Sequence, residues 1–382
     1  MNMQRRRPGF ALAVALAAIV IIGALVAGVF YASTQEFRIG RNTILKARAL
    51  AAAEYGASYM LSGKGPDQWQ TAWNTSSDSG IIGTRAYTLS NGAIDTVRIT
   101  NLGNGNFFLT SEGRAGSGST AQARSRIGVL VMLSVAQFNI LAALTTRGST
   151  KIGGSSFIDG NDDTIPHWNC PPPGGALPAL TTNDTTKVTF SGCKNETCLS
   201  GDPRMQQSPL AGDDSTYDKF GDVSWSDLAS MATLRIPGGS TLSGMKVSYY
   251  NNTCYTADPY NWGDPYRTDG KGYCADYYPV IYVPGDLHVT GGYGQGILLV
   301  DGDLQVSGGF EFYGPVIVRK NLQTTGTGGH FNGGVLAANV DFEQNTVLGN
   351  AVVNYSQCAL NKAVQGSASP SLAHGRSWVE LQ

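Results

Sequence analysis

The residues of this 382-residue chain that could do chemistry are few: four histidines (His167, His288, His330, His374), six cysteines and scattered carboxylates. Zinc would need thiolates and imidazoles at short, regular spacing. His167-x-x-Cys170 and Cys193-x4-Cys198 approach that only loosely. Asp159-Gly160-Asn161-Asp162-Asp163 has the acidic density of a calcium loop but lacks the glycine at the sixth position and the closing glutamate, so it reads as a turn. Asp286 and Asp303 stand one repeat apart, as two carboxylates of a hydrolase could. Each, however, follows a glycine at a corner, where aspartate bonds its own backbone. Gly291-Gly292-Tyr293-Gly294-Gln295-Gly296 is glycine-rich with no helix after it, which makes it a corner and not a phosphate cradle. No HExxH, GxSxG or Walker pattern occurs. The expectation is a protein without catalytic residues, cofactor or metal.

The cysteines fit disulfides better. Cys170, Cys193, Cys198, Cys254, Cys274 and Cys358 all follow the apolar N-terminal run, in the part expected to be exported, where disulfides persist. Of the fifteen pairings open to six cysteines, Cys254 with Cys274 and a local link among Cys170, Cys193 and Cys198 are favoured, with Cys358 joining whichever is free. Between Tyr249 and Tyr278, tyrosines and Trp262 crowd beside Asp258, Asp264, Asp269 and Asp276. Flat rings with polar tips suit a carbohydrate or protein surface, and Tyr255, Tyr260, Trp262, Tyr266 and Tyr273 are the candidate ligand residues. A disulfide-tied loop packing its own tyrosines is the competing reading.

Such a loop needs a scaffold, and the C-terminal half supplies a repeat. Ile281 to Val289, Leu298 to Val306, Val316 to Thr324 and Gly334 to Phe342 share one pattern at offsets of 17, 18 and 18 residues. Val283, Val300, Val318 and Leu336 form one apolar column, and Leu287, Leu304, Leu322 and Val340 a second. Each copy is a strand, a corner that is Gly-Asp or Lys-Asn in the clearer copies, and another strand. No copy can hide its apolar face alone, so stacked copies, a β-solenoid or β-helix, are the expectation. Residues 141–160 read as a separate rung or cap, 352–355 as a last partial rung, and 361–382 as a cap on the open end. Residues 161–278 form an insertion with one helix at Trp225 to Leu234, capped by Ser224 or Asp222.

Upstream, strands at Arg85 to Leu89, Ile94 to Thr100, Phe107 to Ser111 and Ala123 to Leu133 alternate in polarity between Gly/Asn turns, as an antiparallel meander does. The fold class is α+β: a long N-terminal helix with a small antiparallel sheet, then a mainly-β solenoid with a disulfide-containing insertion. The segments are 1–9 (leader), 10–62 (helix), 63–137 (β subdomain), 138–360 (β-helix head) and 361–382 (tail). Charged residues make up only 14% and the net charge is −1, which argues against a nucleic-acid surface; with 49 glycines the composition suits exported, turn-rich β structure. The five Asn-x-Ser/Thr sequons (Asn74, Asn183, Asn195, Asn251, Asn354) would matter only in a eukaryotic secretory path.

Ahead of all this, Arg5-Arg6-Arg7-Pro8-Gly9 precedes Phe10 to Ala32, a run without a charged side chain. In a helix it reaches roughly 35 Å, enough to cross a hydrocarbon core. The basic side stays cytoplasmic and the rest is exported. The run exceeds the h-region of a secretory signal. No proline interrupts Phe10 to Leu61. In the second half of this helix Leu45, Ala49, Ala52, Tyr55 and Tyr59 make a stripe that should pack on a globular domain, with Arg48 beside it needing water or a partner.

The Arg7-Pro8-Gly9-Phe10 junction resembles the cleavage site of type IV prepilins, and Thr43 to Leu61, with its central Ala53-Glu54 pair, resembles the segment after the anchor in PilX-type minor pilins. The likeness covers about residues 5–62. It implies a cut after Gly9 by a prepilin peptidase, with Phe10 as the new first residue. It further implies partners in inner-membrane lipid and other minor and major pilins, a periplasmic head, and display on a pilus or cell surface after assembly. Glu54 and the fifth mature residue, Val14, are the filament-packing positions. Most pilins carry glutamate where Val14 stands, to meet the neighbouring subunit's amine; the tip subunit of type II secretion pseudopili lacks it. The resemblance thus implies a tip or priming subunit with no turnover. The alternatives are an anchored adhesin or carbohydrate-binding protein, and a membrane-tethered polysaccharide lyase or hydrolase.

Overall fold

The computed structural model describes residues 9–62, 80–90, 93–103, 105–116, 123–191, 196–268, 271–341, 351–367, 369–373 and 378–381. The chain divides into two compact units: Met1–Gly65 with Ser77–Val131 and Leu372–Gln382, and Pro66–Ser76 with Met132–Ser371. A long N-terminal helix is followed by mostly β structure with disulfides, an α+β chain.

In the first unit α1 (Gly9–Leu61) is a single helix, about 80 Å long at 1.5 Å per residue. Alanine and the absence of proline favour it. Thr34 and Thr43 turn their hydroxyls back onto the carbonyls of Phe30 and Ile39, so the polar groups are satisfied within the helix. The sheet is a meander of β1 (Gly80–Thr88), β2 (Ile94–Gly103), β3 (Asn106–Ala115) and β4 (Ala123–Ser134), each antiparallel to its predecessor in β1–β3. Alternate residues Val97, Ile99, Phe107, Leu109, Ile127 and Val129 are buried, as strand periodicity requires. A further strand, β5 (Trp378–Leu381), pairs antiparallel with β4, Trp378 opposite Val129. The apolar end of the tail, expected to cap the repeat, therefore extends this sheet instead.

The helix stripe is also rotated from expectation. Ala49, Ala52, Ala53, Ala57 and Met60 are buried, whereas Tyr55 is 41% exposed and Arg48 lies in solvent. The cause is close approach. A Cβ on Gly113 of β3 would stand 1.8 Å from the Ala49 carbonyl oxygen, and one on Gly56 would stand 2.6 Å from Ser111 Oγ. Where helix and sheet approach most closely, at Ala49, Ala53 and Gly56, only small residues fit, and the tyrosines are displaced to the edge.

The second unit is built of parallel ladders in three columns. In the first, Leu234–Arg235, Val280–Val283, Ile297–Val300, residues 316–318 and 335–337, Leu144–Thr146, Leu180–Thr182 and Met205–Gln207 lie side by side. The second column runs Ser240–Met245, then 287–290, Leu304–Ser307, 322–324, 340–341, Thr150–Gly153 and Val188–Ser191. The third contains 293–295, 310–315, 329–334, Val352–Tyr355, Phe157–Asp159 and Leu199–Ser200. The repeat offsets are thus strand registers: Val283 pairs with Val300, and Leu287 with Leu304 and then Leu322. In the fourth copy Ala337, not Leu336, continues the first column, because its corner is one residue shorter than the one between Val318 and Asn321. Leu336 turns outward.

Spatial order differs from chain order. The chain enters mid-stack at 144–159, runs to one end at 205–207, crosses to the other end at 234–245, and returns through the repeat until 335–341 and 352–354 dock on its starting rung. The crossing segment lays Tyr217, Phe220, Val223, Trp225 and Leu228 over the outward side chains Val280, Ile297, Leu299, Ile317 and Leu336. It includes α2 (Trp225–Ser230), held by a capping box between Ser224 and Asp227. The expected insertion at 161–278 is therefore interrupted by two rungs, 180–200 and 234–245. Their strands, two to six residues long, were too short to show a period. The last rung leads into α3 (Gln357–Ala363).

Candidate functional site

Two regions, one in each unit, carry the functional candidates. In the first, every described side chain of α1 from Ala11 to Thr34 is exposed, and Leu12, Ile19, Val20, Leu25, Val29 and Phe30 stand 65% or more open. The helix is long and apolar enough to cross a membrane by length and composition. An apolar surface of this extent calls for a covering, by lipid or by protein. Gly9 begins the helix and Val14 is 52% exposed within it; the side chain of Phe10 and residues 1–8 lie outside the described residues. Glu54 points to solvent from the docked half.

Near the docked half sits a charged cluster that periodicity did not reveal. Asp95 is fully buried and receives Arg85 at 2.9 Å. Burial pushes its carboxyl up, while the guanidinium pulls the other way. Arg85 stacks 4.1 Å over Tyr59, which is what that tyrosine does at the edge of the stripe. Glu112 is held below the usual carboxylate range by its bonds to Arg126 and Arg114. With Lys46, Arg124 and Glu380 it lines a cleft of about 500 Å³.

In the second unit the turn and corner aspartates bond within the scaffold, and the described cysteines are in disulfides. Asp286, Asp303, Asn321 and Asn339 form a ladder along the corners: Asp286 Oδ1 accepts from the Asp303 amide at 2.9 Å, Asp303 Oδ1 from the Asn321 side chain at 2.8 Å, and Asn321 Oδ1 from Asn339 at 3.1 Å. A Cβ on Gly302 would meet Asp286 Oδ1 at 2.2 Å, so the Gly-Asp corner needs its glycine. Asp159 accepts from Asn161, and Asp162 from the amides of Gly174 and Gln357, as turn residues do. Cys254 is bonded to Cys274, as expected. Cys170 is bonded to Cys358, which removes its thiolate from any zinc set with His167. Cys198 is disulfide-bonded; Cys193 lies outside the described residues.

The aromatic candidates separate. Tyr255 and Tyr260 are exposed, 49% and 42%, beside Tyr250 at 71%, and Tyr273 leans on Tyr249 with centroids 5.6 Å apart. Trp262 is not a surface residue. It is fully buried, edge-on to Phe310 and Phe312, with its indole Nε1 donating to the Pro259 carbonyl. Tyr266 separates from these and joins Tyr293, Tyr313 and Glu311 on the third column, a cluster contributed by strand residues 27 to 47 positions later in the chain.

No family model matches the chain, and no curated protein matches it. Among solved structures, the chain is similar to the competence-associated pilin ComZ from Thermus thermophilus, at 13% identity over 88% of this chain and 97% of that one, with a TM-score of 0.24. That superposition is too loose to decide fold or role.

Of this cluster the sequence singled out Tyr266 but neither Glu311 nor Tyr313. Tyr266 and Tyr313 both donate to Glu311 Oε2, Tyr313 at 3.2 Å. Burial, then the Glu311 charge, push the Tyr313 phenol above its ordinary value. The only signal available was positional: outward residues of successive copies, Tyr293, Glu311 and His330, fall in register.

Proposed function

We propose that this protein is a membrane-anchored, pilin-like subunit that presents a β-helix head, with a structural and interaction role and no turnover. What carries the reading is the single helix Gly9–Leu61. Its first half is uniformly apolar and exposed, its second half is seated on an antiparallel sheet through alanine and glycine, and it begins at the Gly9-Phe10 junction. In this reading lipid covers 10–32 before assembly and neighbouring pilins cover it afterwards. The arginines stay cytoplasmic, a prepilin peptidase cuts after Gly9, and the head is periplasmic until displayed. The three parallel columns are read as a β-helix because their registers advance by one repeat per rung. The PilX-like Ala53-Glu54 segment and the apolar Val14 favour a minor subunit at the tip or priming assembly.

Mass spectrometry of the protein extracted from its native membrane tests this. Retention of a chain beginning at Phe10 is expected, and Gly9→Leu should leave the leader attached. An intact Met1 in the unmodified protein, or a chain beginning after Ala32, would refute the reading. Loss of pili on deletion of the gene separates a subunit from an anchored adhesin that never joins a filament.

A further inference from the structure

We propose that the third column carries, on its outer face, a binding site for amino sugars centred on Glu311. The inference concerns the head alone and stands whether or not the chain enters a filament. Glu311 lies in register between Tyr293 and His330 on the adjacent strands, about 4.8 Å to either side. Two phenols donate to its Oε2 and fix the carboxylate, which leaves Oε1 turned toward His330, whose Nδ1 is 3.9 Å away. The Glu311 and His330 side chains are 33% and 41% exposed and Tyr266 is 37% exposed, so the group is reachable from solvent.

The walls are held rigidly. Tyr266 stands edge-on to Tyr293 at 84° and to Tyr313 at 86°. Thr268, from the same loop, lies 3.1 Å from the Tyr293 hydroxyl and donates to Asp264 Oδ1 at 3.2 Å. Asp264 is 1% exposed, and its Oδ2 has no hydrogen-bond partner.

The chemistry selects the ligand class. Phenol rings offer flat faces for the C–H side of a pyranose, and a carboxylate freed on one oxygen accepts from an ammonium or hydroxyl. Among the described residues the basic side chain within 4 Å of Glu311 is His330, which carries charge only when protonated, while the Asp163 charge also acts on Tyr313 and adds negative potential. Uronates and phosphates are disfavoured there, and a sugar bearing an ammonium group is favoured. The strand spacing of about 4.8 Å is close to the length of one pyranose unit. An oligomer laid across the strands would set successive rings over Tyr293, Glu311, His330 and Val352.

The test is isothermal titration calorimetry of the full chain in detergent micelles with a glucosamine tetramer, and with the N-acetylglucosamine tetramer as its uncharged counterpart. Binding of the glucosamine tetramer is expected, at least about tenfold tighter than its counterpart and weakened about tenfold or more by Glu311→Gln. Tyr266→Phe, which keeps the ring and removes only the donor, should also weaken it, whereas Tyr255→Ala should not. No heat with the unmodified protein, equal affinity for the two oligomers, or unchanged affinity in Glu311→Gln would each overturn the proposal. Should Glu311→Gln fail to fold, unchanged affinity in Tyr266→Phe would do so.

Discussion

The amide of Val335, in the last full rung of the chain, donates to the carbonyl of Ala143, in the first, at 2.9 Å. Around this bond residues 335–337 pair with 144–146, and Val352–Tyr355 pairs with Phe157–Asp159. The second unit is therefore closed internally between segments nearly two hundred residues apart. Its free ends are the short rungs at 199–207 and 234–245.

Cys170–Cys358 staples this seam across a sequence separation of 188. Replacing both cysteines by serine should lower stability by roughly 2–5 kcal/mol, since a link across so long a loop constrains the unfolded chain strongly. The measurement is urea denaturation of the variant beside the parent. Amide exchange should rise first at Leu144, Val335 and Val353; unchanged exchange there would mean that the ladder pairing holds the seam without the disulfide.

Asn321 is the middle of the corner ladder, donating to Asp303 and accepting from Asn339. Asn321→Ala removes both partners' bonds at a half-buried site and should cost about 1–3 kcal/mol. Asn321→Asp keeps the acceptor for Asn339 but faces the Asp303 carboxylate, so its deficit should shrink on acidification. Thermal unfolding at neutral and acidic pH separates the two.

Much of this corner was legible in the sequence, because Gly-Asp and the apolar columns recur where a single physical environment recurs. The meander was legible for the same reason: β2 and β3 alternate without a break. The illegible parts share a cause. Rungs such as Leu234–Arg235 are too short to carry a period, and the meeting of first and last rungs is a long-range pairing no local pattern encodes. Tyr55 and Tyr59 were expected on the packed face because they continue the stripe at spacings of three and four, yet the depth of the contact is set by Gly113, on a strand. Glu311 was not legible because, although Tyr313 is on its own strand, Tyr266 reaches it from a loop 45 residues earlier.

Gly113 and Gly40 make a matched pair. A Cβ at Gly113 would overlap the Ala49 carbonyl, so Gly113→Ala must push helix from sheet and should cost more than about 2 kcal/mol. At Gly40, within α1, nothing lies within 4 Å, and alanine should favour the helix by about 1 kcal/mol or less. Melting temperatures in detergent should move in opposite directions; a fall in both would mean that the Gly40 face is packed.

Alkaline pH should unfold the second unit through its buried phenols. Burial pushes Tyr277 up to about 12 and raises Tyr217, Tyr278 and Tyr313 further. The folded state thus holds these protons when the unfolded chain, near the ordinary value of 10, releases them. The stability they contribute is complete below pH 10 and is lost as pH rises toward 12 and beyond. The phenolate absorbance of Tyr217, Tyr277, Tyr278 and Tyr313 should appear only on unfolding. Complete titration without loss of circular dichroism would contradict the burial.

Trp262 decides whether the aromatic segment is scaffold or surface. Its indole fills the space against Phe310 and Phe312, and Gly294 approaches so closely that an added Cβ would stand 2.7 Å from Trp262 Cβ. Trp262→Ala should cost about 3–5 kcal/mol through the cavity and the orphaned Pro259 carbonyl, and Trp262→Phe less. Tyr255→Ala and Tyr260→Ala, at exposed positions, should stay within about 0.5 kcal/mol of the parent. Denaturant midpoints of the four variants supply the comparison. If Trp262→Ala proved as mild as the tyrosine changes, the loop would rest on its Cys254–Cys274 bond alone, and the tryptophan would return to the candidates for a ligand surface.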